Sequence, residues 1–202
     1  MQNILNKRVS KIALFYDLVF VYMISKTTEI LHHLEHGLVS PASFALFALI
    51  VIIFINSWMI QTVFTNRYGI GSWADIAFYF IDMMILLYMS NSFDTNNLTE
   101  MKVLFISAGL LSLTLASHYL INYFQVKNSV DRNISRAFFM ILIFRASTLV
   151  IGGILDNIFG FILAVIGIIL SWLMPLLTTK YTLKHPIIFP HLLERLNLLV
   201  II

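Results

Sequence analysis

Six stretches of the chain are apolar at nearly every position for about 20 residues, the length an α-helix needs to cross a hydrocarbon core of about 30 Å. They run over 12–34, 44–64, 73–93, 101–124, 137–155 and 158–177. The breaks between them are short and hold turn formers: Gly37 and Pro41, Gly69 and Gly71, Asn91 to Asn97, and Asp156-Asn157. A β-barrel needs shorter strands that alternate apolar and polar, whereas these runs are apolar on consecutive positions. The first run follows basic residues, as a signal peptide does. It is too long for one, contains Asp17 and lacks a small-residue cleavage site, so it reads as a retained helix. The pattern predicts an all-α, polytopic transmembrane helical bundle, with six spanning helices in one membrane-embedded domain over 1–202. After Pro190 the run 191–202 reads as the truncated start of a seventh helix, reaching only about 18 Å at about 1.5 Å per residue. The alternative is a segment lying flat at the interface.

Composition sharpens the class. Apolar residues make up 59% of the chain and charged ones 11%, too few charges to clothe a water-facing surface, so a soluble fold is excluded. Disorder is excluded by the 17 Phe, 8 Tyr and 3 Trp set in those apolar runs. The absence of cysteine rules out disulfides, thiolate metal sites and thiol catalysis. The net charge of +3 gains meaning from placement. Lys7, Arg8, Lys11, Arg67, Lys127, Arg132, Arg136, Lys180 and Lys184 fall on one side of the predicted bundle, against Lys102 on the other. The positive-inside bias puts the N-terminus in the cytoplasm of a multi-pass cell-membrane protein. The basic residues therefore report topology and contact with the lipid bilayer, and give no case for nucleic acid.

With that orientation, depth follows at about 1.5 Å per residue: Asp17 and His118 lie about 9 Å from the cytoplasmic face, Asn56 about 12 Å, Asp82 and Arg145 about 13 Å. Five polar groups from five helices converge on one level, with Asp75 seven residues before Asp82 on the same helix face. Unpaired charges at such depth cost about 2.5–3.5 kcal/mol each, so Asp82 or Asp17 is the expected counter-ion of Arg145. Asp17, Asp82, Arg145, Asp75, His118 and Asn56 are the candidate intramembrane polar site. The rival reading is a structural ion-pair cluster that fixes helix packing. Asn56, Gln61, His118, Ser117 and Asn122 equally suit interhelical hydrogen bonds. Lys26 pairs best with Glu29, three residues on.

Other chemistry finds less support. His32 and His36 stand at i, i+4 with Glu35 adjacent, a spacing able to hold a metal, but no third or fourth ligand is evident and interfacial polarity explains them better. Tyr16-Asp17 matches half of the motif pair of intramembrane aspartyl proteases. The Gly-x-Gly-Asp half is missing, because Gly69-Ile-Gly71 is followed by Ser72-Trp-Ala before Asp75. No Gly-rich phosphate loop or Ser/His/Asp arrangement is present. No enzyme, cofactor or metal site is expected.

The stretch Arg8-Val-Ser-Lys-Ile-Ala-Leu-Phe-Tyr-Asp-Leu-Val-Phe-Val-Tyr22 resembles the opening signature of the bacterial low temperature requirement A (LtrA) family. Phe64-Thr-Asn-Arg-Tyr68 and His191-Leu-Leu-Glu-Arg-Leu-Asn-Leu198 match two further blocks in the same order and spacing, so the resemblance covers essentially the whole chain. Ala13 stands where the family usually has Glu. Family members continue past the third block, so the chain resembles an N-terminal half, and a loose parallel between 12–21 and 195–202 fits a two-repeat design. The resemblance implies a polytopic protein of the bacterial inner membrane linked to growth in the cold, with no established activity. The leading expectation is a transport-like module whose charged site handles a solute, ion or proton. The alternatives are a non-transporting sensor or assembly component, or an inactive truncated half. The expected partners are the bilayer and either a second copy of the chain or a second-half subunit.

Overall fold

Most of the long helices start where a short polar side chain satisfies an orphan amide. In the computed structural model, which describes residues 9–32, 34–35, 38–69, 71–90, 100–177, 192–193 and 195–197, α1 spans Lys11–Thr27. Ser10 caps it, accepting from the Ala13 amide at 3.2 Å. A 3-10 turn over Thr28–His32 follows. Then comes a minimal antiparallel ladder of β1 (Leu34–Glu35) and β2 (Leu38–Val39), with Leu34 opposite Val39. α2 spans Pro41–Arg67, with Ser40 as cap and Pro41 in the first turn, where its missing amide hydrogen is not needed. α3 spans Trp73–Ser90 and opens on a reciprocal capping box: the Asp75 amide donates to Ser72 Oγ at 3.1 Å and the Ser72 amide to Asp75 Oδ2 at 3.0 Å. α4 spans Glu100–Gln125 and α5 spans Ser129–Leu155, the latter capped by Asn128. Asp156, in the left-handed region at φ 46°, ends α5, and α6 follows over Ile158–Leu177.

The helices are those the hydropathy pattern predicts, with shifted ends. α5 begins at Ser129 and not at residue 137, because its first turns are charged and lie outside the apolar run. α1 gives way at Thr28 although the apolar run continues to Leu34. Leu34 and Glu35 are extended; His33 and His36, and with His36 the expected His32/His36 pair, lie outside the described residues. So does the 91–97 connection. The described positions 192–193 and 195–197 of the expected seventh helix are helical.

Among the described residues, α2, α3, α4 and α5 are long and apolar enough to cross a membrane. Helix α1 has 17 residues and α6 has 20. Large apolar side chains stand outward on them, among them Met84 on α3, Ile154 on α5 and Phe159 on α6, each more than half exposed. A multi-pass membrane protein is the fold in which such faces meet solvent of their own kind.

Packing follows the chain order from α3 to α6 and departs from it at α1 and α2, which contact α3 and α4 respectively. α4, α5 and α6 lie side by side, α3 lies between α1 and α4, and α2 contacts α1 and α4. Small residues allow the closest approach: a Cβ on Gly152 of α5 would stand 2.6 Å from the Gly160 carbonyl oxygen of α6, and one on Gly109 of α4 would stand 2.6 Å from Val150 Cγ2. Side-chain contacts at the helix ends show the antiparallel sense. Asp75 at the start of α3 meets His118 near the end of α4, and Arg67 at the end of α2 meets Asp131 at the start of α5.

Candidate functional site

Buried polar groups form three constellations inside the bundle. In the first, Asp17 of α1 is fully buried and receives three hydrogen bonds. Arg195 approaches as a fork, Nε to Oδ2 at 2.9 Å and Nη2 to Oδ1 at 2.5 Å, and Trp58 Nε1 of α2 donates to Oδ1 at 2.7 Å. The Arg195 guanidinium also lies over the Trp58 ring, 5.6 Å from its centroid. Fork geometry, burial and an aromatic face are what a desolvated arginine–carboxylate pair needs to offset its lost hydration.

The second surrounds Arg145 of α5, also fully buried. It donates to Asn56 Oδ1, to Ser57 Oγ at 2.9 Å and to the Ile53 carbonyl at 3.4 Å, all on α2. Its Nε has no partner among the described residues. These acceptors are dipoles, and no carboxylate of the described residues lies within ion-pair distance.

The third runs along the α3/α4 contact. Asp75 Oδ1 meets His118 Nε2 at 2.9 Å, while the imidazole lies between the rings of Phe78, stacked at 4.5 Å, and Phe64 at 3.9 Å. One turn along α4 from His118, Thr114 bonds Asp82 Oδ1. Asp82 is 1% exposed and faces no cation within ion-pair distance among the described residues. The Tyr16 hydroxyl, buried with no hydrogen-bond partner among the described residues, lies within electrostatic range of Asp82, Arg195, Tyr79 and Asp17, and so links this constellation to the first. Tyr79 in turn bonds Thr65 at 2.5 Å. At the end of α2, Arg67 pairs with Asp131 at 3.6 Å, and burial pushes the Tyr68 hydroxyl beside them up to about 12.

The model of the Bacterial low temperature requirement A protein family (LtrA) matches the chain over residues 8–202. The chain belongs to the LtrA family. No curated protein and no solved structure matches it.

The six candidate residues of this LtrA protein are thus all inside the bundle or at its rim, but they do not form one cluster. Arg145 and Asn56 meet, Asp75 and His118 meet, and Asp75 and Asp82 share the α3 face that looks toward α4. The expected pairing of Arg145 with Asp82 or Asp17 is not what forms. α5 packs against α4 and α6 and reaches α2 through Arg145, so α4 stands between it and Asp82, while Asp17 is already held by Arg195. The equal depth expected from the sequence does not bring these charges together, because their helices stand at different lateral positions. Lys26 pairs with Glu29 at 2.7 Å as its spacing predicts. Asn122 bridges α4 to α5 through Ser135 at 2.8 Å. Gln61 is fully buried with neither polar atom bonded to a described residue. Sequence reasoning missed Arg195, Trp58 and Thr114. An arginine in an apolar helical run was the available signal for Arg195, since such a residue needs an acid somewhere in the bundle.

Proposed function

We propose that this LtrA-family protein is a multi-pass protein of the bacterial cell membrane, with six spanning helices and a cytoplasmic N-terminus, that works as a transport module and not as an enzyme. The observation that carries the reading is a pair of buried ionisable groups that have no counter-charge among the described residues. Asp82 and Arg145 are 1% and 0% exposed, and the described partners of each are neutral. A charge kept only for packing would be matched, as Asp17 is by Arg195. A charge left unmatched, at about 2.5–3.5 kcal/mol each on insertion scales, suits a group whose partner is a passing solute, ion or proton. The alternation of helix directions and the basic residues at one end support the orientation.

In proteoliposomes, Asp82→Asn or Arg145→Leu is expected to abolish solute- or proton-dependent flux while the helical circular dichroism signal and thermal unfolding stay near wild type. Flux equal to wild type in both variants would overturn the reading. The Asp17–Arg195 fork favours a second one, a sensor or assembly component whose charges maintain the fold. That reading predicts a specific co-purifying partner and wild-type stability restored by the exchange Asp17→Arg with Arg195→Asp.

A further inference from the structure

The Thr114 side chain has one hydroxyl hydrogen and two acceptors. Its Oγ lies 2.8 Å from the Leu111 carbonyl oxygen, a back-bond within α4, and is also bonded to Asp82 Oδ1. One hydrogen serves one of them at a time. When it lies on the Leu111 carbonyl, the contact with Asp82 is a hydrogen bond only if the carboxyl carries a proton and donates it to Thr114 Oγ. When the carboxyl is ionised, the threonine hydrogen turns to it and leaves Leu111. The site thus accommodates both protonation states of Asp82 by rotation of one hydrogen, with no movement of heavy atoms.

The surroundings fit a group that changes charge. Asp82 is bonded by Thr114 of α4 and lies in electrostatic range of Tyr16 of α1 and of Tyr79 on its own helix; the further titratable groups of these three helices nearby are Asp17, which neighbours both tyrosines, and Asp75 with its partner His118, two turns along α3 and one turn along α4. Among the described residues, the cation in range of Tyr16 and Tyr79 is Arg195, and Asp17 engages it through two bonds. Arg145 is held on α2, and Arg67 is matched by Asp131. Nothing cationic among the described residues is therefore reserved for Asp82, and a proton is the positive charge small enough to neutralise it there. The same α3 face leads toward the edge of the bundle. Asp75 sits in the first turn of α3, its side chain 14% exposed, and holds His118 Nε2, while His118 Nδ1 is buried without a partner among the described residues.

We propose that Asp82 is the proton-carrying carboxyl of this protein, loaded from the cytoplasmic side through the Asp75–His118 couple. The proposal rests on the transport reading and names its coupling species. A proton from water converts His118 to an imidazolium beside the Asp75 carboxylate. The imidazolium returns to imidazole as a proton passes to the Asp82 carboxylate, which becomes the neutral acid. One proton is gained by the aspartate and lost by the aqueous phase, and no other bond changes.

Infrared difference spectra of the full chain in liposomes, titrated from acid to alkaline pH, test the assignment. Wild type is expected to show the carbonyl stretch of a buried protonated carboxyl that vanishes as pH rises. Asp82→Asn, which retains a donor toward Thr114 and so the local packing, is expected to lose the band. Thr114→Val is expected to shift its midpoint. The same band in wild type and Asp82→Asn, or no such band in folded wild type at any pH, would overturn the proposal. Proton uptake followed with an entrapped pH dye is expected to slow at least about tenfold in His118→Gln, about 1.4 kcal/mol on the barrier; an unchanged rate would remove His118 from the route. The two readings fail separately. Flux lost in Asp82→Asn with no titrating carboxyl leaves transport standing and removes the proton, whereas a titrating Asp82 in a protein without flux removes transport.

Discussion

The Asp17 carboxylate illustrates how a single buried residue can depend on the whole bundle. Three donors converge on it, two of them from Arg195. Asp17→Asn leaves a guanidinium buried without its counter-charge and is expected to lower stability by about 3–5 kcal/mol, read from unfolding in detergent by tryptophan fluorescence. Replacing both partners by apolar residues, Asp17→Leu with Arg195→Met, is expected to recover most of that loss, because no unmatched charge then remains. Trp58→Phe removes a donor to a charged acceptor and is expected to destabilise by about 1.5–3 kcal/mol. That Asp17 was buried is legible in the sequence, since an acid in an apolar helix has nowhere else to point. Which cation it meets was not, because Arg195 lies 178 positions away.

At the scale of the helix, hydropathy locates membrane-spanning cores and capping residues locate ends. The two differ most at α5, whose amphipathic start over Ser129–Arg136 precedes the apolar run and is anchored by the Asn128 cap, 3.1 Å from the Val130 amide. Asn128→Ala is expected to cost about 1 kcal/mol. Between helices the close approach of α5 and α6 depends on glycine. Gly152→Ala places a methyl 2.6 Å from the Gly160 carbonyl oxygen, so the backbones must separate. A loss of about 1–3 kcal/mol is expected in thermal unfolding, with Ile151→Ala on the exposed face of the same helix as the near-neutral control.

For the whole molecule, the topology makes a direct prediction, and the absence of cysteine supplies a clean background for it. A single cysteine at 129 is expected to react with a membrane-impermeant maleimide only when vesicles expose their cytoplasmic face, and one at 157 only from the opposite face. Labelling of both from one face would refute the alternation. The sequence by itself determined the class, the family, the existence of the six helices and the presence of charges within them. Those properties depend on the length and polarity of consecutive residues, and on how many charges the bilayer tolerates. The tertiary structure decided which charges meet. Counting residues along separate helices predicts one level for Asp17, Asp82, Asn56, His118 and Arg145, but lateral order put α4 between Arg145 and Asp82 and brought Arg195 to Asp17. Helix neighbours are chosen by side-chain packing across the bundle, and glycines such as Gly109 and Gly152 set how closely they approach; neither leaves a periodic mark along the chain.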